Sequence, residues 1–470
     1  MDEMKKKRFA MPHAYVIIIL IIALCTALTW ILPAGNFEYV FNEELGRNLV
    51  VPGSYQLAAE RTPVGPWGMV IAIFDGVVEA ADIIFFILFA ASYVYVLSET
   101  GALNALTGAM LRKLGEKDHL IIPLFMVLFA IGGTTIGMFE ETYGLIPAFM
   151  IIAVTLGYDR IVGGAIVFVG VATGFAAAIL NPFTIGIASS VAEIPLLQDK
   201  LTMFRIITFV LFLILNITYT MRYADRIRKD PTKSILYGDP NALQGLENVK
   251  SRDEVMQMPF TGEQKLSLAG FVLVIIILAI GIVVYGWYLS ELAALFFVSM
   301  IVTMIINKMT LNEMADMFVA GCKSAMFGAM LVGLARAISV VMSQGQVIDT
   351  AVNYLAGLVG NMPSALSGVG MLAVQNLVNF FIPSGSGQAV VMMPIMAPLS
   401  DLIGLSREVA VIAFQFGDGF SNMFWPTSVA TECGIMGIGM DKWYKFITPL
   451  FAMMFLLQAA LIVFAIAWGV

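Results

Sequence analysis

The chain has 470 residues, of which 59% are hydrophobic and only 13% charged, with a mean hydropathy of +0.89. A soluble globular protein carries about 25% charged residues, so this composition excludes a soluble enzyme and a disordered chain, and the net charge of −7 offers no basic footprint for nucleic acid. Three cysteines in apolar runs and two histidines leave no disulfide framework and too few ligands for a histidine-based metal centre or triad. What remains is an all-α polytopic membrane protein that is not an enzyme and needs no cofactor.

In chain order, Lys5, Lys6, Lys7 and Arg8 precede an apolar run from Tyr15 to Leu32, long enough to cross ~30 Å of hydrocarbon. It closes on Pro33-Ala34-Gly35-Asn36 rather than a small-x-small cleavage site, and so reads as a retained first helix. Residues 34–67 form a polar loop. Further spans are expected at about 80–97, 161–192, 203–221, 266–285, 287–306, 324–342, 408–438 and 443–468. Residues 222–265 are the only long hydrophilic insert and carry Arg222, Arg226, Arg228, Lys229, Lys233, Lys250, Arg252 and Lys265. The positive-inside rule puts the N-terminus and this insert in the cytoplasm, the 34–67 loop outside, and, after nine crossings, Val470 outside.

The insert divides the chain into halves that read as repeats. Ser98 to Gly115 and Ser343 to Gly360 have equal length and open amphipathic stretches. Pro147, Gly157 and Arg160 match Pro394, Gly404 and Arg407, and Gly174-Phe175 before Asn181-Pro182 matches Gly419-Phe420 before Asn422 and Pro426. The organisation is then a first helix and external loop (1–79), a first repeat (80–221), a cytoplasmic loop (222–265), a scaffold helix pair (266–306) and a second repeat (307–470). Matched spans cross in opposite senses, so the repeats are inverted. That is a pattern of secondary transporters with a site at the midplane.

Two apolar stretches, 119–156 and 365–404, begin and end on the same side. Their centres are Gly132-Gly133-Thr134-Thr135-Ile136-Gly137 and Pro383-Ser384-Gly385-Ser386-Gly387-Gln388. Exposed backbone of this kind survives at membrane depth only beside a polar cavity or inside protein, so re-entrant helical hairpins are expected, with tips meeting near the midplane. Span 161–192 is broken at Asn181-Pro182-Phe183-Thr184. Span 408–438 is broken at Asp418-Gly419, Ser421-Asn422 and Pro426-Thr427-Ser428. Proline frees a carbonyl one turn back, and such carbonyls together with Asn, Ser and Thr oxygens suit a substrate or a coupling Na⁺. Thr135, Asn181, Ser386 and Asn422 are the candidate Na⁺ ligands; H⁺ is the other candidate coupling ion.

Ionisable groups at depth are expensive to bury. Glu141 and Asp418 are expected to face the cavity with Glu140 behind; the roles of Arg336 and Glu432 are open. The binding set is Gly133, Thr134, Thr135, Glu140, Glu141, Asn181, Pro182, Thr184, Ser384, Gly385, Ser386, Gln388, Asp418, Ser421, Asn422 and Thr427. An ion channel would instead carry a continuous polar face along several helices; here the polar residues cluster at four points.

Gly137-Met138-Phe139-Glu140-Glu141-Thr142, Gly157-Tyr158-Asp159-Arg160, Asn181-Pro182-Phe183, Pro383 to Gln388 and Phe416-Gly417-Asp418-Gly419-Phe420 resemble the YfcC-like branch of the C4-dicarboxylate anaerobic carrier family, part of the ion transporter superfamily. The resemblance runs over nearly the whole chain. It implies a bacterial inner-membrane secondary carrier, a homodimer in the lipid bilayer, whose hairpin-bearing domain moves like an elevator. Na⁺-coupled dicarboxylate relatives carry Ser-Asn-Thr at both tips, where this chain has Gly133-Thr134-Thr135 and Ser384-Gly385-Ser386, a departure that weighs against carrying over sodium coupling and a dicarboxylate. An acid-lined cavity suits an amino acid, basic ones such as arginine or ornithine first and C4-dicarboxylates second.

Overall fold

The computed structural model describes residues 12–43, 45–240, 242, 246, 249–250 and 252–470; the Lys5–Arg8 cluster and Glu44 lie outside the described residues. Among the described residues, eight helices are long and apolar enough to cross a membrane. The first, α1 (Ala14–Ile31), matches its expected span. Residues 34–67, expected as loop, instead hold four short strands in two antiparallel pairs. β1 (Gly35–Asn36) pairs with β4 (Gln56–Leu57), and β2 (Tyr39–Asn42) pairs with β3 (Arg47–Val50), Tyr39 opposite Val50. Strands this short carry too little alternation to be read from sequence.

The first half continues with α2 (Pro66–Glu79), α3 (Ala81–Glu99), α4 (Ala102–Leu114), α5 (Ile121–Thr135), a 3₁₀ turn over Glu140–Leu145, α6 (Ile146–Thr155), α7 (Arg160–Ala176), a π-helical turn over Pro182–Gly186, α8 (Ile187–Val191) and α9 (Asp199–Lys229). After α10 (Arg252–Gln257), α11 (Gly262–Tyr285) and α12 (Leu289–Ile306), the second half runs α13 (Leu311–Gln344), α14 (Ile348–Gly360), α15 (Ser364–Phe381), α16 (Gly385–Leu402), α17 (Arg407–Ser421), α18 (Pro426–Met436) and α19 (Met440–Trp468).

Three expectations need correction. The boundary at residue 79 falls inside a helical run: α2 continues through Ala80 into α3, with Ala80 N bonded to Gly76 O and Ile84 N to Ala80 O. Positions 66 to 99 therefore match in extent the 34 residues of α13, which begins 13 residues before its expected start at 324. The span expected at 203–221 is α9, which extends beyond it at both ends; at the C-terminal end Arg226, Arg228 and Lys229 in the last turn complement the helix dipole.

The spacing shared by the two halves has a local cause. Gly157 and Gly404 both take positive φ, at +86° and +74°, where a side chain would be strained. Two residues on, Asp159 and Ser406 cap α7 and α17 by accepting from Val162 N at 3.1 Å and Val409 N at 3.3 Å. Gly101 and Gln346, each three residues after the matched serines, are likewise left-handed.

Two inter-helix segments dock on the helices through named contacts. The strand region rests on α14: Phe37 N and Tyr39 Oη donate to the two oxygens of Asp349 at 2.9 and 2.8 Å, and the Tyr55 hydroxyl lies 2.8 Å from that of Thr350. Burial, then the Asp349 carboxylate beside it, push the Tyr39 phenol above its ordinary value, so it stays a donor. The 230–261 segment is held by buried Asp118, which takes Arg228 and Arg252 at 2.6 Å each, while Arg112 of α4 donates to Met256 O at 2.8 Å.

Candidate functional site

Four interruptions meet in the interior. The tip of α5 is braced to the end of α7. Buried Thr134 donates to Ala177 O at 2.7 Å, its hydroxyl accepts from Ile179 N at 3.1 Å, and its carbonyl takes the amides of Ile179, Leu180 and Asn181 at 3.0 to 3.2 Å. Gly133 permits this approach, since a Cβ there would lie 2.5 Å from Val171 O. Asn181 then caps the π-helical turn, its Oδ1 accepting from Phe183 N at 2.9 Å and Thr184 N at 3.3 Å. Pro182, the first residue of that turn, needs no amide partner.

The N-terminus of α16 reaches the same place. Ser384 caps α16 by accepting from Gly387 N at 3.2 Å, with Ser386 half-buried in the first turn. A Cβ on Gly385 would lie 2.5 Å from Thr184 Cγ2 and 3.0 Å from Asp418 Oδ2. The contact thus joins this N-terminus to the break after α7 and to α17. Asp418 is fully buried; Asn379 of α15 donates to its Oδ1 at 2.8 Å, and Ser421 and Asn422 donate to its backbone carbonyl at 3.2 and 3.0 Å. Ser428 donates to Asn422 Oδ1 at 3.3 Å.

Buried side-chain atoms without a partner among the described residues include Asn181 Nδ2, Thr184 Oγ1, Asn379 Oδ1, Asp418 Oδ2 and Thr427 Oγ1. Leaving a buried polar group unpaired costs ~1–3 kcal/mol, more for a charge. A cluster of them at converging chain breaks therefore marks a place built for something polar.

Several expected residues do other work. Thr135 turns its hydroxyl back to Ile131 O at 2.6 Å, and Gln388 ties α16 to α15 through Gln375 O and Oε1, both at 2.8 Å. Glu141 is buried with Oε2 folded onto Phe139 N at 2.9 Å. Half-buried Glu140 is the carboxylate whose field reaches Glu141, Asp418, Tyr143 and Glu432, with Arg336 the cation acting on it. The two glutamates thus differ in partner, because successive residues of a 3₁₀ turn point in different directions.

Three of the four candidate sodium ligands already carry hydrogen bonds of their own. Thr135 donates within its own helix, Asn181 Oδ1 already holds two amides, and Asn422 Oδ1 holds Ser428. Among the described residues no group of three or more His, Cys, Asp or Glu could hold a metal ion.

Asn379 and Gln375 escaped the sequence reading. With Asn376, whose carbonyl accepts from Trp425 Nε1 at 2.7 Å, they form a stripe at i, i+1 and i+4 on an otherwise apolar helix, which was the available signal. Glu432, left open, receives Tyr143 Oη at 2.9 Å.

Interrupted helices around buried polar atoms, with eight long apolar helices among the described residues, define a multi-pass membrane protein of the transporter class. The family model described as C4-dicarboxylate anaerobic carrier matches residues 11–467, and the chain belongs to that family of membrane transporters. It is 30% identical, over 98% of both chains, to YfcC of Escherichia coli, whose assignment as a basic amino acid antiporter is itself provisional. It is 29% identical, over 98% of both chains, to an uncharacterized protein of Haemophilus influenzae. Solved structures similar to it include the YdaH transporter of Alcanivorax borkumensis (15% identity, 98% of this chain and 99% of that one, TM-score 0.43). Another is MtrF of Neisseria gonorrhoeae (17% identity, 97% and 96%, TM-score 0.42).

Proposed function

We propose that the chain is a secondary active carrier, an exchanger or symporter, for a small cationic or zwitterionic metabolite, with basic amino acids such as arginine and ornithine first. The observation that carries this is Asp418 Oδ2, a buried carboxylate oxygen without a partner among the described residues, facing Gly385 where the second tip meets the broken helix. Glu140 adds a second negative field there, with Arg336 a cation acting on Glu140. Such a site attracts an ammonium or guanidinium group and repels a dianion. The provisional assignment of the Escherichia coli relative supports the same class.

In this reading 119–156 and 365–404 are re-entrant hairpins of inverted repeats. Together with α7 to α9 and α17 to α19 they form a unit that moves like an elevator against α1 to α3 and α11 to α13. The protein is a homodimer of a bacterial inner membrane with the N-terminus and the 222–265 segment cytoplasmic and Val470 outside. The equal 34-position extents of α2–α3 and α13, and the matched turns at Gly157 and Gly404, support the repeats.

The test is uptake into proteoliposomes of labelled arginine, ornithine, lysine and succinate, with imposed Na⁺ or H⁺ gradients and with unlabelled substrate inside. Saturable flux of the basic amino acids is expected. Flux of succinate alone would replace the substrate class with a C4-dicarboxylate, the reading the family description favours.

A further inference from the structure

Glu432 is a buried carboxylate outside the hydrogen-bond cluster around Asp418. It lies on α18 with no exposed surface. Oε1 accepts from Tyr143 Oη at 2.9 Å, and Oε2 has no partner among the described residues. The ionisable groups whose fields meet there are Glu140 and Tyr143 from the 3₁₀ turn, Cys433 beside it on α18, and Tyr444 on α19. Tyr444 spends its hydroxyl on Phe424 O at 2.9 Å, and Glu141 spends its carboxylate on Phe139 N. Arg336 of α13 acts on Glu140.

An ionised carboxylate so enclosed, with an orphan oxygen, is strongly disfavoured; Asp418 meets the same penalty until a cation binds beside it, and for Glu432 a protonated side chain suits the geometry. Tyr143 then donates to Oε1 and Oε2 carries the proton. Half-buried Glu140 acts through its charge on both this group and Asp418.

Resting on the carrier reading above, we infer that Glu432 holds the coupling proton, and that a cation bound beside Asp418 and Glu140 releases it. The proton enters from water onto Glu432 Oε2, neutralising the side chain. When a cationic substrate offsets the charge of Glu140, the proton leaves from Oε2 to water. Linkage is reciprocal: whatever the substrate does to proton affinity, the proton does to substrate affinity. Exchange of proton for cation follows from the shared neighbour.

The experiment uses the full-length purified protein and arginine as probe. Protons released per arginine bound are measured by calorimetry in buffers of different ionisation enthalpy, and infrared difference spectra follow a protonated carboxyl band. Wild type should release protons and lose the band on binding. E432Q should lack the band and lose proton release per arginine bound, and uptake into proteoliposomes should no longer respond to a pH gradient. Y143F, a positioning change, should shift the pH at which release occurs, and serves if E432Q does not fold. Wild-type proton release and an unchanged band in E432Q, or an unshifted release pH in Y143F, would overturn the assignment. If no basic amino acid binds, yet wild type shows a protonated carboxyl that E432Q or Y143F alters, the proton site stands and the substrate reading falls.

Discussion

Asp418 has one carboxylate oxygen held by Asn379 and the other turned to Gly385, so its two halves predict different losses. D418N removes the charge while keeping the shape, and transport should fall to background with unchanged yield and a monodisperse peak in detergent. N379A should leave a working but weaker carrier. A hydrogen bond to a charged group is worth ~1.5–3 kcal/mol, so apparent affinity should drop by about tenfold or more in concentration-dependent uptake. Normal uptake by D418N would remove it from the site. Asp418, Asn181 and Ser384 were legible in sequence because polar residues beside Gly or Pro interrupt apolar runs. The direction of a side chain on a tight turn was not: Glu141 folds back onto Phe139 N beside Glu140, and Thr134 and Thr135 likewise divide between the helix break and their own helix.

Among elements, the packing of α5 on α7 is set by small residues four apart. A Cβ on Gly174 would sit 1.8 Å from Ala130 O, and one on Gly170 would sit 3.2 Å from Met126 Cα, the close backbone approach that membrane helices favour. G174A must push the helices apart and should cost ~1–3 kcal/mol, seen as a lower unfolding midpoint in detergent. G270A on α11, where nothing lies within 4 Å, should stay within about 0.5 kcal/mol of wild type. The Asp118 cluster gives another test. D118N leaves Arg228 and Arg252 facing each other without a charge between them. Both arginine side chains are about one-third exposed, at 31% and 35%, so the loss should be below the ~3–5 kcal/mol of a fully buried pair. Tryptic cleavage at Lys250 and Arg252 should accelerate, and an unchanged digestion rate would show that the cluster does not hold this segment. Hydropathy exposed the apolar cores of these helices. It missed α2, the first turns of α13 and the strands, because amphipathic or short elements owe their form to what they dock on, such as Asp349 for the strands.

For the whole molecule, the elevator reading requires that two bodies slide along one seam. The 3₁₀ turn of the first hairpin meets α3 at Gly144, where a Cβ would lie 2.3 Å from that of Ala90. This contact crosses the proposed boundary, whereas Gly170 against Met126 lies inside the moving unit. In a background with Cys25, Cys322 and Cys433 replaced, oxidation of A90C/G144C should trap one orientation and stop uptake, with recovery on reduction. Disulfide Cβ atoms sit ~3.8 Å apart, so the turn must give slightly, and cross-linking is confirmed by a gel shift before flux is read. Oxidation of M126C/G170C should form a bond and leave uptake intact, because no relative motion passes through that contact. Full transport by the cross-linked A90C/G144C protein would show that the hairpin and α3 travel together. The conformational cycle would then have to be built from local opening of the tips around Gly385 and Thr184 rather than from sliding of the unit that carries them.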